Sequence, residues 1–88
     1  MKTLVLYRPE AEYYRQVDEF INNFKAAGFS NKLEILNIDT RNGISTALLY
    51  DVMRYPAILV IREDGTLQQL WEGTDLPTIN EVEAYLLA

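Results

Sequence analysis

The stretch Ala57-Ile58-Leu59-Val60-Ile61 contains no polar residue, and a short apolar run of this kind predicts a strand buried on both faces. Thr3 to Tyr7, TLVLY, has the same character and ends at Arg8-Pro9, which predicts a second interior strand. Lys32 to Asp39, KLEILNID, predicts a further strand, closed by the turn residues of TRNG. Between the first and last of these in chain order the period changes. Tyr13, Tyr14, Val17, Phe20, Ile21 and Phe24 recur at three- and four-residue spacing and mark one face of a helix, with Glu10 and Glu12 in its first turn, Lys25 near its end and Gly28 as its stop. A shorter helix is expected from about Ser45 to Met53, where Ala47, Leu48 and Val52 share a face with either Leu49 or Tyr50. Pro56 forbids helix beyond Tyr55.

The segment REDGT turns the apolar run into LQQLWEG, and Gly65 supplies the positive φ that such a hairpin needs. Thr78 and Glu81 have capping-box spacing, and Ile79, Val82, Tyr85 and Leu86 form the apolar face of a last helix. The predicted order is βαβαββα. Parallel strands joined by a right-handed crossover, then an antiparallel hairpin, give an α/β fold with a four-stranded mixed sheet and helices on both faces. On the last strand, at a sheet edge, Trp71 alternates with Leu67 and Gln69; there it either anchors a partner or covers the sheet beneath a helix.

Length and charge narrow the function classes. Eighty-eight residues suit one domain spanning 1–88, for which surface scaling gives about 5,000 Å² folded against about 15,000 Å² unfolded. The net charge of −5, with the basic residues scattered, argues against nucleic acid as a partner. No apolar run approaches the ~20 residues of a membrane span, and the first ten residues lack the pattern of a signal peptide, so no membrane role and a cytoplasmic location are expected. The chain has no cysteine and no histidine. Thiolate nucleophiles, disulfides, imidazole bases and the commonest zinc ligands are all absent.

Taken together, several segments resemble the thioredoxin family across nearly the whole chain. LNID at Leu36 to Asp39 is similar to the family's second core strand, and YDVMRYPAILVI to its Tyr-Gly-Val-x-x-x-Pro-Thr segment. Gly65 and Gly73 keep the family's eight-residue interval between the hairpin glycine and the glycine after the last strand, and TINEVEAYL matches the closing helix. The resemblance implies a thioredoxin-like fold, a cis bond between Tyr55 and Pro56, and an outward-facing Tyr55 backbone able to pair with an extended chain by strand addition. It also places the family's Cys-x-x-Cys at Ala11-Glu12-Tyr13-Tyr14, the preceding tryptophan at Glu10, the buried acid at Val5 and the nearby lysine at Ile35. Nucleophile, resolving group and proton acceptor are thus all replaced, which excludes dithiol exchange.

What remains is a candidate binding groove: Tyr55 and Pro56 present backbone groups, while Tyr13, Tyr14, Glu72 and Gly73 shape the walls, and the partner is a protein or an extended peptide. No catalytic residue, metal ligand or cofactor is expected. Each feature also has a structural reading. Tyr13 and Tyr14 form a ligand ledge, or one packs in the core and the other covers the helix start. Glu10, Glu12 and Glu72 face one groove as an acid pair or cation site, or the first two merely complement a helix dipole. Asp39 and Asn42 in DTRNG lack the later ligands of a calcium loop and read as a turn. Arg15 and Glu19 are spaced for an i,i+4 ion pair, and Ser30 and Ser45 have no base nearby in sequence and read as capping or loop residues. The competing function is assembly, a homodimer formed through an edge strand and Trp71; an enzyme of non-redox chemistry is a third.

Overall fold

In the computed structural model, which describes residues 1–87, every residue of Ala57–Ile61 is buried. This strand, β3, is flanked by β1 (Lys2–Tyr7) and β4 (Leu67–Glu72), both antiparallel to it. The strand β2 (Leu33–Asn37) runs parallel to β1 at the far edge, which gives the order β2-β1-β3-β4. Helices α1 (Tyr14–Ala26) and α3 (Ile79–Leu86) cover one face, and α2 (Arg41–Leu49) covers the other. The α/β architecture is the one expected from the sequence, and the folded surface is 5401 Å².

Period-two alternation divides β3 between two cores. Ala57, Leu59 and Ile61 join Leu4, Leu6, Ile38, Ala47 and Val52 on the α2 side. Ile58 and Val60 join Val5, Val82 and the α1 residues Val17, Phe20, Ile21 and Phe24 on the other. Phe24 is the largest fully buried side chain, its ring 5.9 Å from that of Phe20 and 5.5 Å from that of Phe29. Thr78 caps α3 as expected: its Oγ1 accepts from the Glu81 N–H, and Glu81 Oε1 accepts from the Thr78 N–H, each at 3.2 Å. Gly65, at φ +88, closes the hairpin as expected.

The boundaries of α1 and α2 differ from expectation, each for a local reason. The chain first turns through Arg8 to Tyr14, with Ala11 N–H donating to Arg8 C=O and Tyr14 N–H to Ala11 C=O, so α1 starts at Tyr14 and its first turn holds neither Glu10 nor Glu12. Arg15 does not pair with Glu19; its Nε donates to the Tyr14 hydroxyl at 3.2 Å, and its guanidinium lies 5.9 Å from that ring's centre. TRNG is not a closing turn. Thr40 is the N-cap of α2, its Oγ1 accepting from Gly43 N–H at 3.1 Å, and Arg41, Asn42 and Gly43 are the first helical residues. The helix ends at Leu49, before the predicted Met53, because Asp51 adopts a left-handed φ of 59° and Val52 N–H folds back onto Ala47 C=O. Ile38 and Asp39, expected in the strand, lie beyond β2.

The edge strand also departs from simple alternation. Val60 pairs with Gln69 but Ile61 pairs with Leu67, so Gln68 is an extra residue in β4. That bulge turns Leu67 to the α2 side with Leu70, while Trp71 faces the α1 and α3 side. Leu67 and Trp71 therefore do not share a face. Trp71 is half-buried there, edge-on to Tyr85 with ring centres 5.8 Å apart. No helix among the described residues is long and apolar enough to cross a membrane.

Two substitutions test this packing. A Cβ at Gly43 would run into the Asn37 carbonyl oxygen, so Gly43→Ala is expected to cost about 1–3 kcal/mol in chemical denaturation. Ser45→Ala, on the exposed part of the same helix, should instead gain a few tenths, roughly 0.5 kcal/mol. Thr3 is fully buried, and its hydroxyl has no hydrogen-bond partner among the described residues. Thr3→Val keeps the shape and removes the desolvated hydroxyl, so it should raise stability by about 1 kcal/mol; an unchanged or lower midpoint would contradict this packing.

Candidate functional site

The C-terminal end of β1 and the beginning of β3 lie side by side, since Leu6 pairs with Ala57. Immediately before β3 comes Pro56, fully buried and lacking an N–H, with a cis peptide bond from Tyr55. Its carbonyl accepts from the Gly73 N–H at 2.9 Å, which carries the β3–β4 ladder one step past Ala57–Glu72. Gly73 holds φ +88, a conformation that favours glycine, as the chain leaves β4. On the other side of Pro56 the Tyr55 N–H and C=O have no hydrogen-bond partner among the described residues.

Glu72 has a defined task at this end of the sheet. Its Oε2 accepts from the N–H of Met53 at 2.7 Å and of Arg54 at 3.0 Å, so one carboxylate ties down the segment that leads into Tyr55. Pro56, Glu72 and Gly73 thus form one hydrogen-bonded unit with Tyr55 beside it. Tyr13 adjoins this end through Arg8: its hydroxyl accepts from the Arg8 N–H at 3.0 Å, and both Tyr13 and Tyr55 lie within electrostatic reach of the Arg8 guanidinium. Gln16 Nε2 donates to Thr74 C=O at 2.6 Å and fastens α1 beside Gly73. The two tyrosines pack into opposite cores, Tyr13 against the α1 side and Tyr55 against the α2 side. Tyr14 stands apart, exposed on α1 and engaged with Arg15.

The feature that sequence reasoning missed is an ion pair. Arg8 and Asp39, 31 positions apart, form a fork in which Nε contacts both carboxylate oxygens at 3.2 and 3.0 Å and Nη2 contacts one at 3.1 Å. The hydrogen bonds from Arg8 hold the Asp39 carboxyl below its ordinary range, and those same bonds raise the Arg8 pKa. The two ends of β1 and β2 supply them, and only the parallel register of those strands brings them together. The pair rims a hollow of about 360 Å³ whose other walls include Ile44, Leu48, Val52 and Tyr55. A hollow of about 460 Å³ lies at the opposite end of the strands, lined in part by Lys2, Lys32, Tyr50 and Arg62.

The redox positions implied by the family resemblance carry no such chemistry. Val5 is fully buried in an apolar cluster and pairs with Ile35 across the β1–β2 ladder. Glu10 and Glu12 are exposed, Glu72 is bound to backbone, and no cluster of three or more acidic residues among those described is arranged to hold a metal. Asn42 lies inside α2, and Asp39 is committed to Arg8.

No known family pattern and no curated protein matches this sequence. The fold does have relatives among solved structures. The chain superposes on thioredoxin 1 from the thermophilic eubacterium Thermosipho africanus TCF52B with a TM-score of 0.72, over 99% of this chain and 96% of that one, at 16% sequence identity.

Removing the carboxylate in Glu72→Ala leaves two backbone donors without their acceptor. Amide exchange at Met53 and Arg54 should accelerate, with a stability loss of about 1–3 kcal/mol. The Asp39–Arg8 pair favours the folded state at neutral pH and loses that effect on acidification, since a lowered folded pKa means the contribution is fully present above the unfolded value of 3.8 and is lost as pH falls from there through the lower folded value. In Arg8→Gln the Asp39 carboxyl, followed by carbon-detected titration, should move back up toward its ordinary range.

Proposed function

We propose that this thioredoxin-like fold, with neither cysteine nor histidine in its sequence, serves as a redox-inactive module that binds an extended protein or peptide segment. Thiol–disulfide exchange needs a sulfur nucleophile, and the chain has none. The reading rests on one observation above all: the Tyr55 N–H and C=O lack partners among the described residues, at a position held between a fully buried Pro56 and a segment clamped by Glu72. A donor and an acceptor on one residue suit a short antiparallel pairing with another chain, in which main-chain bonds supply affinity and neighbouring side chains supply selectivity. Tyr13 and Gly73 border the docked segment, Tyr14 stands further along α1, and Glu72 keeps the platform rigid. The Gly73 amide contributes shape only, since Pro56 already accepts its proton. No cofactor enters this reading, and the cytoplasm is the compartment it assigns.

The pairing predicts a pattern that a general hydrophobic contact would not produce. In amide-resolved titrations with extended, cysteine-free peptides, Tyr55 should shift and the largest changes should cluster around Met53 to Ala57. N-methylation of the one peptide residue paired with Tyr55 should weaken binding about tenfold, and methylation of its outward-facing neighbour should have little effect. Peptides that bind with no preference between those two positions, or that never move the Tyr55 amide, would sink the groove reading.

A further inference from the structure

Among the described residues, helix α2 is where exposed aliphatic side chains cluster, whereas α3 has Leu87 alone at its C-cap. Ile44 is 50% exposed, Leu48 76% and Leu49 73%, and Met53, just beyond the helix, is 79% exposed. Ile44 and Leu48 also wall the hollow of about 360 Å³ beside Tyr55, whereas Leu49 and Met53 are outside that lining. We infer that this face is where two copies of the chain pair, about a two-fold axis, with Leu49 or Met53 of each copy seated in the hollow of the other.

Three features favour a second copy as the occupant. The surface carries both a projection and a recess, and self-complementarity of that kind is what an isologous contact requires. Its charges also come in both signs. Arg41 opens the helix and Asp51 and Arg54 follow it, and among the described residues none of the three is in an ion pair. With the Arg8–Asp39 pair and the Glu72 carboxylate bound to the Met53 and Arg54 amides, this side carries three arginines against three carboxylates, so the acidic excess of a chain of net charge −5 lies elsewhere and two copies meet here with little repulsion. The area is suitable as well. The four side chains expose nearly three full residues' worth of aliphatic surface, on the order of 300 Å², and the hollow's walls add to it; the apolar part of a standard interface is about 450 Å² per partner.

The alternative contacts are poorer. The β4 edge is interrupted by the bulge at Gln68, and Trp71 is packed against Tyr85 rather than presented to a partner. On the β2 edge Ile35 is the aliphatic residue that is exposed, between the half-buried Leu33 and Leu36 and beside the Lys2–Glu34 pair. The dimer does not depend on peptide binding at Tyr55, but it would place the partner copy's side chains along one wall of that site.

Sedimentation equilibrium of the full chain from about 10 μM to about 1 mM tests this directly, and a reversible monomer–dimer equilibrium within that range is expected. Leu48→Glu and Met53→Glu change exposed positions and should keep the native fold by circular dichroism, yet each should raise the dimer dissociation constant at least about tenfold. Ile35→Lys at the β2 edge should leave it unchanged. A chain that stays monomeric at the highest concentration overturns the inference and leaves the face to a different protein. A dimer that survives both glutamate variants, or that Ile35→Lys breaks, overturns it in favour of strand pairing.

Discussion

A strand with no polar side chain has to be hidden on both faces and paired along both edges, and β3 imposes that requirement on everything around it. Its neighbours β1 and β4 take up its backbone groups. Its side chains alternate into two separate cores, so a helical layer is needed on each face of the sheet. The longer layer, α1 with α3, contributes Phe20 and Phe24; the shorter, α2, contributes chiefly Ala47. Two thin cores sharing one strand explain how a chain of 88 residues supports a three-layer fold.

The candidate site is a consequence of how β3 begins. Proline cannot donate into a ladder, so the residue before the strand is one where pairing stops on the N–H side while the carbonyl still bonds to Gly73. The next backbone unit outward, Tyr55, is left with both of its polar groups without a partner among the described residues. What would normally be a frayed end is instead held by Glu72, one carboxylate bonding two consecutive amides. The solved thioredoxin shares the overall fold. In the present chain that fold carries neither a cysteine thiol nor an imidazole.

Helix α2 is the least self-sufficient part of the structure. Nine residues are too few for a helix to persist by propensity alone, and a glycine in its first turn weakens it further. Its inward face is small because Gly43 lies against the Asn37 carbonyl and Ala47 against the sheet. Close approach leaves no room for large inward side chains, and the aliphatic residues of this segment face outward instead. The same feature brings Ile44 and Leu48 alongside Tyr55 and the Arg8–Asp39 pair, so the proposed self-contact and the proposed peptide site share one wall.

Much of this molecule was legible in its residues, wherever the signal was local. The polarity of AILVI determined a buried strand, the spacing from Val17 to Phe24 determined the inner face of α1, and Thr78 with Glu81 determined where α3 begins. Each of these depends on neighbours within a turn or two, which the order of residues specifies completely. Pro56 and Gly73 could be singled out for the same reason, as residues whose backbone chemistry is unlike any other. The tertiary structure alone decided the rest. TRNG reads as a turn until the sheet brings Asn37 against Gly43; Leu67 and Trp71 read as one face until β3 forces a bulge at Gln68; and Glu72 reads as a groove acid until the Met53 and Arg54 amides reach it. Arg8 finds Asp39 only because β1 and β2 run parallel in register. In every such case the deciding partner lies many residues away, and its position is an outcome of packing both faces of β3, not of the local chain.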